Sequence, residues 1–305
     1  MRVGVFGRYL LCFFLLFVPA SLFAKVNVVV SIIPQKYFVN RLAGSLADVT
    51  VMVKPGASPA TYEPKPSQMK KVAEADIYFA IGVPFEKAWL PRFASQNRGM
   101  MIVDTTKGVK KLPMQNHHHS APHPPYPTSH SPHPTPHIPT STSHSPDPHV
   151  WLSPKLVKVL AENMAKALME RDPANKEVYK KNLLAFKKEI ESLDERLKKI
   201  LRPCRGEAMM VFHPSWGYFA KDYGLKQIPI EVEGKEPKSR RLLHLMKEAK
   251  EEGVETLFVQ PQFSKRTAEV IADAIGAKIV DADPLAYEWS DNLLKIAKKI
   301  CEDRR

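Results

Sequence analysis

The sequence predicts an α/β fold in which two lobes of parallel sheet, flanked by helices, are joined by one long backbone helix. Three observations in the 305 residues carry this reading. Short β-branched and apolar runs alternate with helical patterns in the first third of the chain. The same alternation resumes in the last third. Between them lies one amphipathic pattern far longer than an ordinary globular helix.

In chain order, residues 1–24 read as an export signal. Arg2 and Arg8 precede an apolar stretch over 9–18, Pro19 and Ala20 break it, and Ala24 offers a small residue before Lys25. The apolar stretch falls short of the roughly 20 residues of a spanning helix; an uncleaved anchor is the alternative. An N-terminal lobe is expected over 25–170, with strands at 26–31, 49–53, 76–81 and 100–103 and helical patterns at 35–42, 66–73 and 86–93.

The alternation stops at an insertion, 115–146, that contains no Asp, Glu, Lys or Arg and is built from His, Pro, Ser and Thr. With few apolar side chains and many prolines it cannot pack a core, and a disordered, partly polyproline segment is expected. It carries His117, His118, His119, His123, His130, His133, His137 and His144.

A helical pattern returns at 154–170. Asp172 and Pro173 then form an N-cap and first-turn pair. Tyr179, Leu183, Phe186, Ile190, Leu193, Leu197 and Ile200 keep one face apolar through the long linking helix, 171–201. The C-terminal lobe, 202–305, is expected to hold strands at 208–212, 227–231, 256–260 and 278–281. Helices are expected at 216–223, 238–252, 264–275 and 290–301.

Lys and Arg number 45 against 32 Asp and Glu, a formal net charge of +13. The basic residues are spread along helical stretches among acidic ones, with no dense basic run and no interleaved aromatics, so nucleic acid is not the expected partner. After removal of the signal, Cys204 and Cys301 remain. An even pair in an oxidising compartment permits one disulfide, and two buried thiols are the alternative.

Outside the insertion only three histidines exist. His244 lies in a Lys- and Glu-rich helical pattern and reads as a surface residue. His149 stands where the insertion rejoins ordered sequence, and His213 follows the strand at 208–212. Asp283 lies just past the final strand. Open parallel sheets present ligands at the carboxyl ends of their strands, which suits His213 and Asp283 directly. An imidazole and carboxylate set is suited to zinc, with manganese or iron as alternatives.

Three motifs then carry a family resemblance: Lys54-Pro-Gly-Ala-Ser-Pro-Ala-Thr-Tyr-Glu-Pro, Asp147-Pro-His-Val-Trp-Leu-Ser-Pro, and Phe212-His-Pro-Ser-Trp-Gly-Tyr-Phe-Ala. Over nearly the whole mature length the chain resembles the periplasmic solute-binding proteins of bacterial ABC importers for zinc and manganese. The resemblance implies two lobes on a rigid helix, metal in the cleft, and delivery to a membrane permease with a cytoplasmic ATPase. It places cleft ligands on His149, His213 and Asp283. The remaining family ligand, a histidine of the first motif, is Ala60 here; water, a histidine of the insertion or Glu63 in the same loop are the candidates to complete the shell. Manganese-selective members carry a carboxylate where this chain has His213, so the resemblance favours Zn2+ as cargo over Mn2+.

The expected function is that of an extracytoplasmic, monomeric, non-enzymatic receptor. It captures zinc in its cleft, with the His-rich segment raising local metal concentration. Two other classes stand against it. A metal-dependent hydrolase would need an open coordination position and a placed base, and neither His-Glu-x-x-His nor Gly-x-Ser-x-Gly occurs. A cell-adhesion or metal-buffering protein would rely on the insertion alone.

Overall fold

The apolar runs form two parallel four-stranded sheets in a computed structural model that describes residues 25–114, 145–231, 237–263 and 265–302. The proposed leader and the eight histidines of the insertion lie outside the described residues.

The first half builds β1 (Val26–Val30), α1 (Ile33–Ala43), β2 (Ala47–Val51), α2 (Pro66–Ala73), β3 (Ile77–Ala80), α3 (Pro84–Gln96) and β4 (Met101–Asp104). The sheet order is β2-β1-β3-β4, with Val28 opposite both Val49 and Ile77. A strand with neighbours on both edges and helices on both faces must be apolar on both faces. Val28, Val29 and Val30 are buried accordingly. Proline opens both α2 and α3, where its missing N–H costs nothing.

The second half repeats the plan with β5 (Ala208–Val211), α6 (Gly217–Tyr223), β6 (Lys226–Pro229), α7 (Ser239–Glu251), β7 (Thr256–Val259), α8 (Lys265–Ile275) and β8 (Lys278–Asp281), in the order β6-β5-β7-β8. Side chains alternate across this sheet with a period of two. Met209, Val211 and Phe258 join the large core shared with the first half. Met210, Leu257 and Val259 turn to a separate core beneath α7 and α8.

Two helices lie between these halves in sequence: α4 (Pro154–Arg171) and α5 (Lys176–Leu201). Ser153 caps α4 through its hydroxyl, which accepts from the Leu156 N–H at 3.3 Å, and Pro154 follows at the first helical position. The 26 residues of α5 span about 39 Å at about 1.5 Å per residue. It buries Tyr179, Phe186, Ile190, Leu193 and Leu197 against α1 and α4 on one side and α6 and α9 (Trp289–Ile300) on the other.

The start of this helix differs from expectation. Pro173–Asn175 forms a separate 3-10 turn, and α5 begins only at Lys176. The Asp172 carboxylate caps no backbone N–H. It accepts instead from the Asn175 amide at 2.8 Å and the Tyr179 hydroxyl at 2.7 Å, because the proline turn carries the first helical N–H groups away from it. The helix α9 also departs from a simple two-lobe partition, for it packs against the first half. The Trp289 ring meets Phe38 edge-on at 5.2 Å, and Ser290 and Tyr287 hydrogen-bond to Tyr37 and Asn40 of α1.

Cys204, at the end of α5, and Cys301, at the end of α9, are joined by a disulfide, with Cα atoms 5.9 Å apart and a sequence separation of 97. The bond closes a long loop and pins the terminal helix to the backbone helix. Replacing both cysteines with serine is expected to cost about 2–4 kcal/mol, lowering the melting temperature by roughly 5–15 °C. Calorimetric melts of the wild type and the double variant check this, and only the wild type should respond to reductant.

Candidate metal centre

Both sheets turn their carboxyl ends toward one cavity of about 630 Å³ between the halves. In each sheet the first strand runs on into a crevice between its two neighbours, the point where the strand order reverses and where open α/β sheets bind ligands. The first half lines it with the segments that follow β2, β3 and β4, and the second half with those that follow β5, β7 and β8.

His213 leaves β5 two residues past its end. Its backbone is clamped by the buried Gln260 at the end of β7. The His213 N–H donates to the amide oxygen at 3.1 Å, and the Gln260 amide N–H returns to the His213 carbonyl at 2.8 Å. The imidazole stacks on Phe263 at 5.3 Å, and its Nδ1 meets the carboxylate of buried Glu231 at 2.5 Å. Glu231 follows β6, so three adjacent strand ends hold one ring.

His149 is buried at the start of the 3-10 turn Val150–Leu152. Its Nδ1 lies 2.7 Å from Oδ1 of Asp147, which also accepts the His149 backbone N–H at 2.9 Å. Asp147 is itself buried, and a Cβ on Gly217 would come within 3.2 Å of its other oxygen, so the glycine of the third motif leaves room for this carboxylate. Tyr218 bridges the halves, its hydroxyl donating to the Asp147 carbonyl at 2.9 Å and accepting from the Leu112 N–H at 2.9 Å. Burial holds the His149 pKa below its ordinary value, against the opposing pull of Asp147. The ring is therefore neutral at pH 7, the form that binds metal.

The two imidazoles converge. Their ring centres are 5.2 Å apart at an interplanar angle of 71°. A zinc ion bound to two ring nitrogens at 2.0–2.1 Å in tetrahedral geometry would separate the ring centres by about 5 Å. In both rings a carboxylate engages Nδ1, which fixes the tautomer and leaves Nε2 as the nitrogen able to bind a metal. Sequence reasoning missed Asp147 and Glu231, although each carried a signal: Asp147 sits two residues before His149, and Glu231 ends a strand. Neutralising one carboxylate as Glu231→Gln is expected to weaken zinc binding about 10–100-fold while leaving the fold intact. Competition against a chromophoric chelator measures it.

Asp283 lies two residues past β8. Its Oδ1 accepts from the Gln262 amide and the Leu285 N–H, both at 2.9 Å. Gln262, Pro284 and Leu285 line the cavity, and the Trp151 indole N–H donates to the Pro284 carbonyl at 2.7 Å, tying the Asp283 loop to the His149 turn. Asp283 is nevertheless not gathered with the histidines: no cluster of three His, Cys, Asp or Glu side chains able to hold a metal ion occurs among the described residues. The expected triad is thus a pair of rings with the carboxylate held beside it by Gln262. Glu63 is exposed and does not line the cavity, because the Tyr62 hydroxyl, donating to Gln68 at 2.7 Å, draws the loop toward α2. Ala60 does line it.

The cavity also holds Glu86, the buried third residue of α3. Its carboxylate accepts from the Ser31 hydroxyl at 2.5 Å, the Ile81 N–H at 2.9 Å and the Gly82 N–H at 2.8 Å. Burial pushes its pKa up, those hydrogen bonds and the Lys111 ammonium acting the other way. With both oxygens committed to the end of β3, Glu86 shapes the cleft wall and does not replace the ligand absent at Ala60.

Comparison with known proteins agrees with this architecture. The family model of the zinc-uptake complex component A, periplasmic (ZnuA), matches residues 28–300. The chain is 28% identical over 260 residues to the high-affinity zinc uptake system protein ZnuA of Bacillus subtilis strain 168, covering 83% of this chain and 76% of that one. Among solved structures it is similar to a crystal structure of ZnuA, with 41% identity, a TM-score of 0.80, and 91% and 98% of the two chains covered. It is similar too to a zinc-bound ZnuA mutant carrying a 138–173 deletion, with 41% identity, a TM-score of 0.79, and 90% and 96% covered.

Proposed function

The chain belongs to the family of periplasmic zinc-uptake complex components A, and from that premise we propose that it is an extracytoplasmic receptor that captures zinc between its two lobes and delivers it to an ABC importer. The observation that carries the proposal is the pair of imidazoles 5.2 Å apart in the cleft, each with Nδ1 on a buried carboxylate. His149 and His213 supply Nε2 ligands, and Asp283 adds an oxygen when its side chain turns from Gln262. Two nitrogens and one carboxylate suit zinc better than the harder manganese ion, which remains the second cargo within the family chemistry.

Loading works through the long helix. Metal held by His149 on one side and by His213 and Asp283 on the other draws the cleft walls together. The shared core around α4 and α5 limits how far they rotate. A membrane permease with a cytoplasmic ATPase reads the loaded shape. The disulfide suits an oxidising compartment, reached through the leader at 1–24, and no described helix is long and apolar enough to cross a membrane. Receptor action of this kind needs no catalysis.

Calorimetric titration of zinc into the intact protein and into a variant lacking 115–144 tests the reading. The deletion is geometrically easy, since the Met114 N–H donates to the Ser145 carbonyl at 2.9 Å and Pro113 bridges Pro146 in antiparallel fashion. The variant is expected to keep one tight zinc site per chain and to lose only weaker binding. If all zinc binding disappeared with the deletion, the protein would be a metal buffer and the cleft assignment would fail.

A further inference from the structure

The cavity is much larger than its proposed cargo needs. A zinc ion with two imidazoles and a carboxylate occupies a small part of about 630 Å³, a volume within the range of about 300–1,000 Å³ typical of small-molecule sites. Zinc takes four ligands, one of which is often water or a bound molecule, and the described residues supply at most three. The first-half lining includes Ser58, Pro59, Ala60, Gly82, Val83 and Pro84, none of which offers a strong zinc donor. Glu86 is committed to Ser31 and to backbone N–H groups.

Three polar groups in the same cavity have no role in holding a bare ion. Ser215 is fully buried and its hydroxyl has no hydrogen-bond partner; the Gln262 side-chain oxygen is likewise buried without one. Lys111 sets its ammonium beside Gly82, where a Cβ would stand only 2.6 Å from it, and its charge acts on the buried Glu86, whose two oxygens are already taken by Ser31, Ile81 and Gly82. A buried hydroxyl, an acceptor and a cation lining one apolar cavity match an organic ligand with a carboxylate and an N–H donor.

Resting on the zinc-receptor reading, we propose that the cleft takes zinc together with a small amino-acid chelator, whose amine and side-chain donors fill the coordination left open at Ala60. The chelator's carboxylate faces Lys111 and the Ser215 hydroxyl, and an N–H of its amine donates to the Gln262 side-chain oxygen. His149 and His213 bind the metal from the other side.

Equilibrium dialysis of the intact protein against radiolabelled L-histidine, with and without zinc, tests this, with bound zinc measured in parallel. Zinc-dependent retention of one labelled histidine per chain is expected. Lys111→Met should lower that retention about tenfold by removing the charge-assisted hydrogen bond. Ala60→His should hold zinc while releasing the label, since its imidazole takes the chelator's place. If the intact protein holds zinc while the label stays in the dialysate, the cargo is the bare ion and the proposal is overturned, with the receptor reading standing. If neither zinc nor label is held, the receptor reading itself falls.

Discussion

Replacing His213 with alanine is expected to weaken zinc binding by roughly 100-fold or more, since the loss of a supporting carboxylate alone costs about 10–100-fold. The imidazole is one of two that converge on the cleft, and its orientation is over-determined: Gln260 holds the backbone, Phe263 one ring face and Glu231 its Nδ1. None of these supports can supply a ligand once the ring is gone. Glu231 would be left buried without its histidine, so a modest fall in stability should accompany the variant. A melting curve therefore belongs beside the titration. A variant that melts cooperatively yet binds zinc as tightly as the wild type would remove His213 from the metal site and with it the cleft model.

Ala60→His is expected to act in the opposite direction, tightening binding of zinc alone by roughly 10–100-fold, or about 1.4–2.8 kcal/mol. Ala60 is exposed in the cavity wall, so a larger side chain has space. The loop that carries it is already held in place, with the Phe85 N–H donating to the Pro59 carbonyl at 3.2 Å and the Ala60 N–H to the Ser58 hydroxyl at 3.2 Å. An added ligand on a positioned loop costs little ordering entropy. Titration in a buffer free of chelators measures the gain. Unchanged affinity would show that residue 60 does not face the bound ion.

Much of the fold was legible because its signals are local. A valine run such as Val28 to Val30 is apolar on both faces only if both faces are covered, and the spacing from Tyr179 through Leu197 allows one buried stripe. His213 and Asp283 stood out for a similar reason, since each follows a strand in a fold that presents ligands at strand ends. Glu86 was not legible, because a lone glutamate inside a helical pattern says nothing about which hydroxyl or backbone amide it meets. The 3-10 turn after Asp172 was missed because a proline at a helix start and a proline in a separate turn look alike.

By itself the sequence determined the two α/β halves, the long helix between them, and two histidines and an aspartate as metal-binding candidates. The halves and the helix follow from periodicity, His213 and Asp283 from their places just past strands, and His149 from the family resemblance. Only the tertiary structure decided that His149 and His213 share one cleft, each backed by a buried carboxylate, that Asp283 is held beside them by Gln262, and that the last helix returns to the first half. Convergence of side chains 64 or more residues apart depends on how the sheets and α5 pack, and packing is a property of all the surfaces at once.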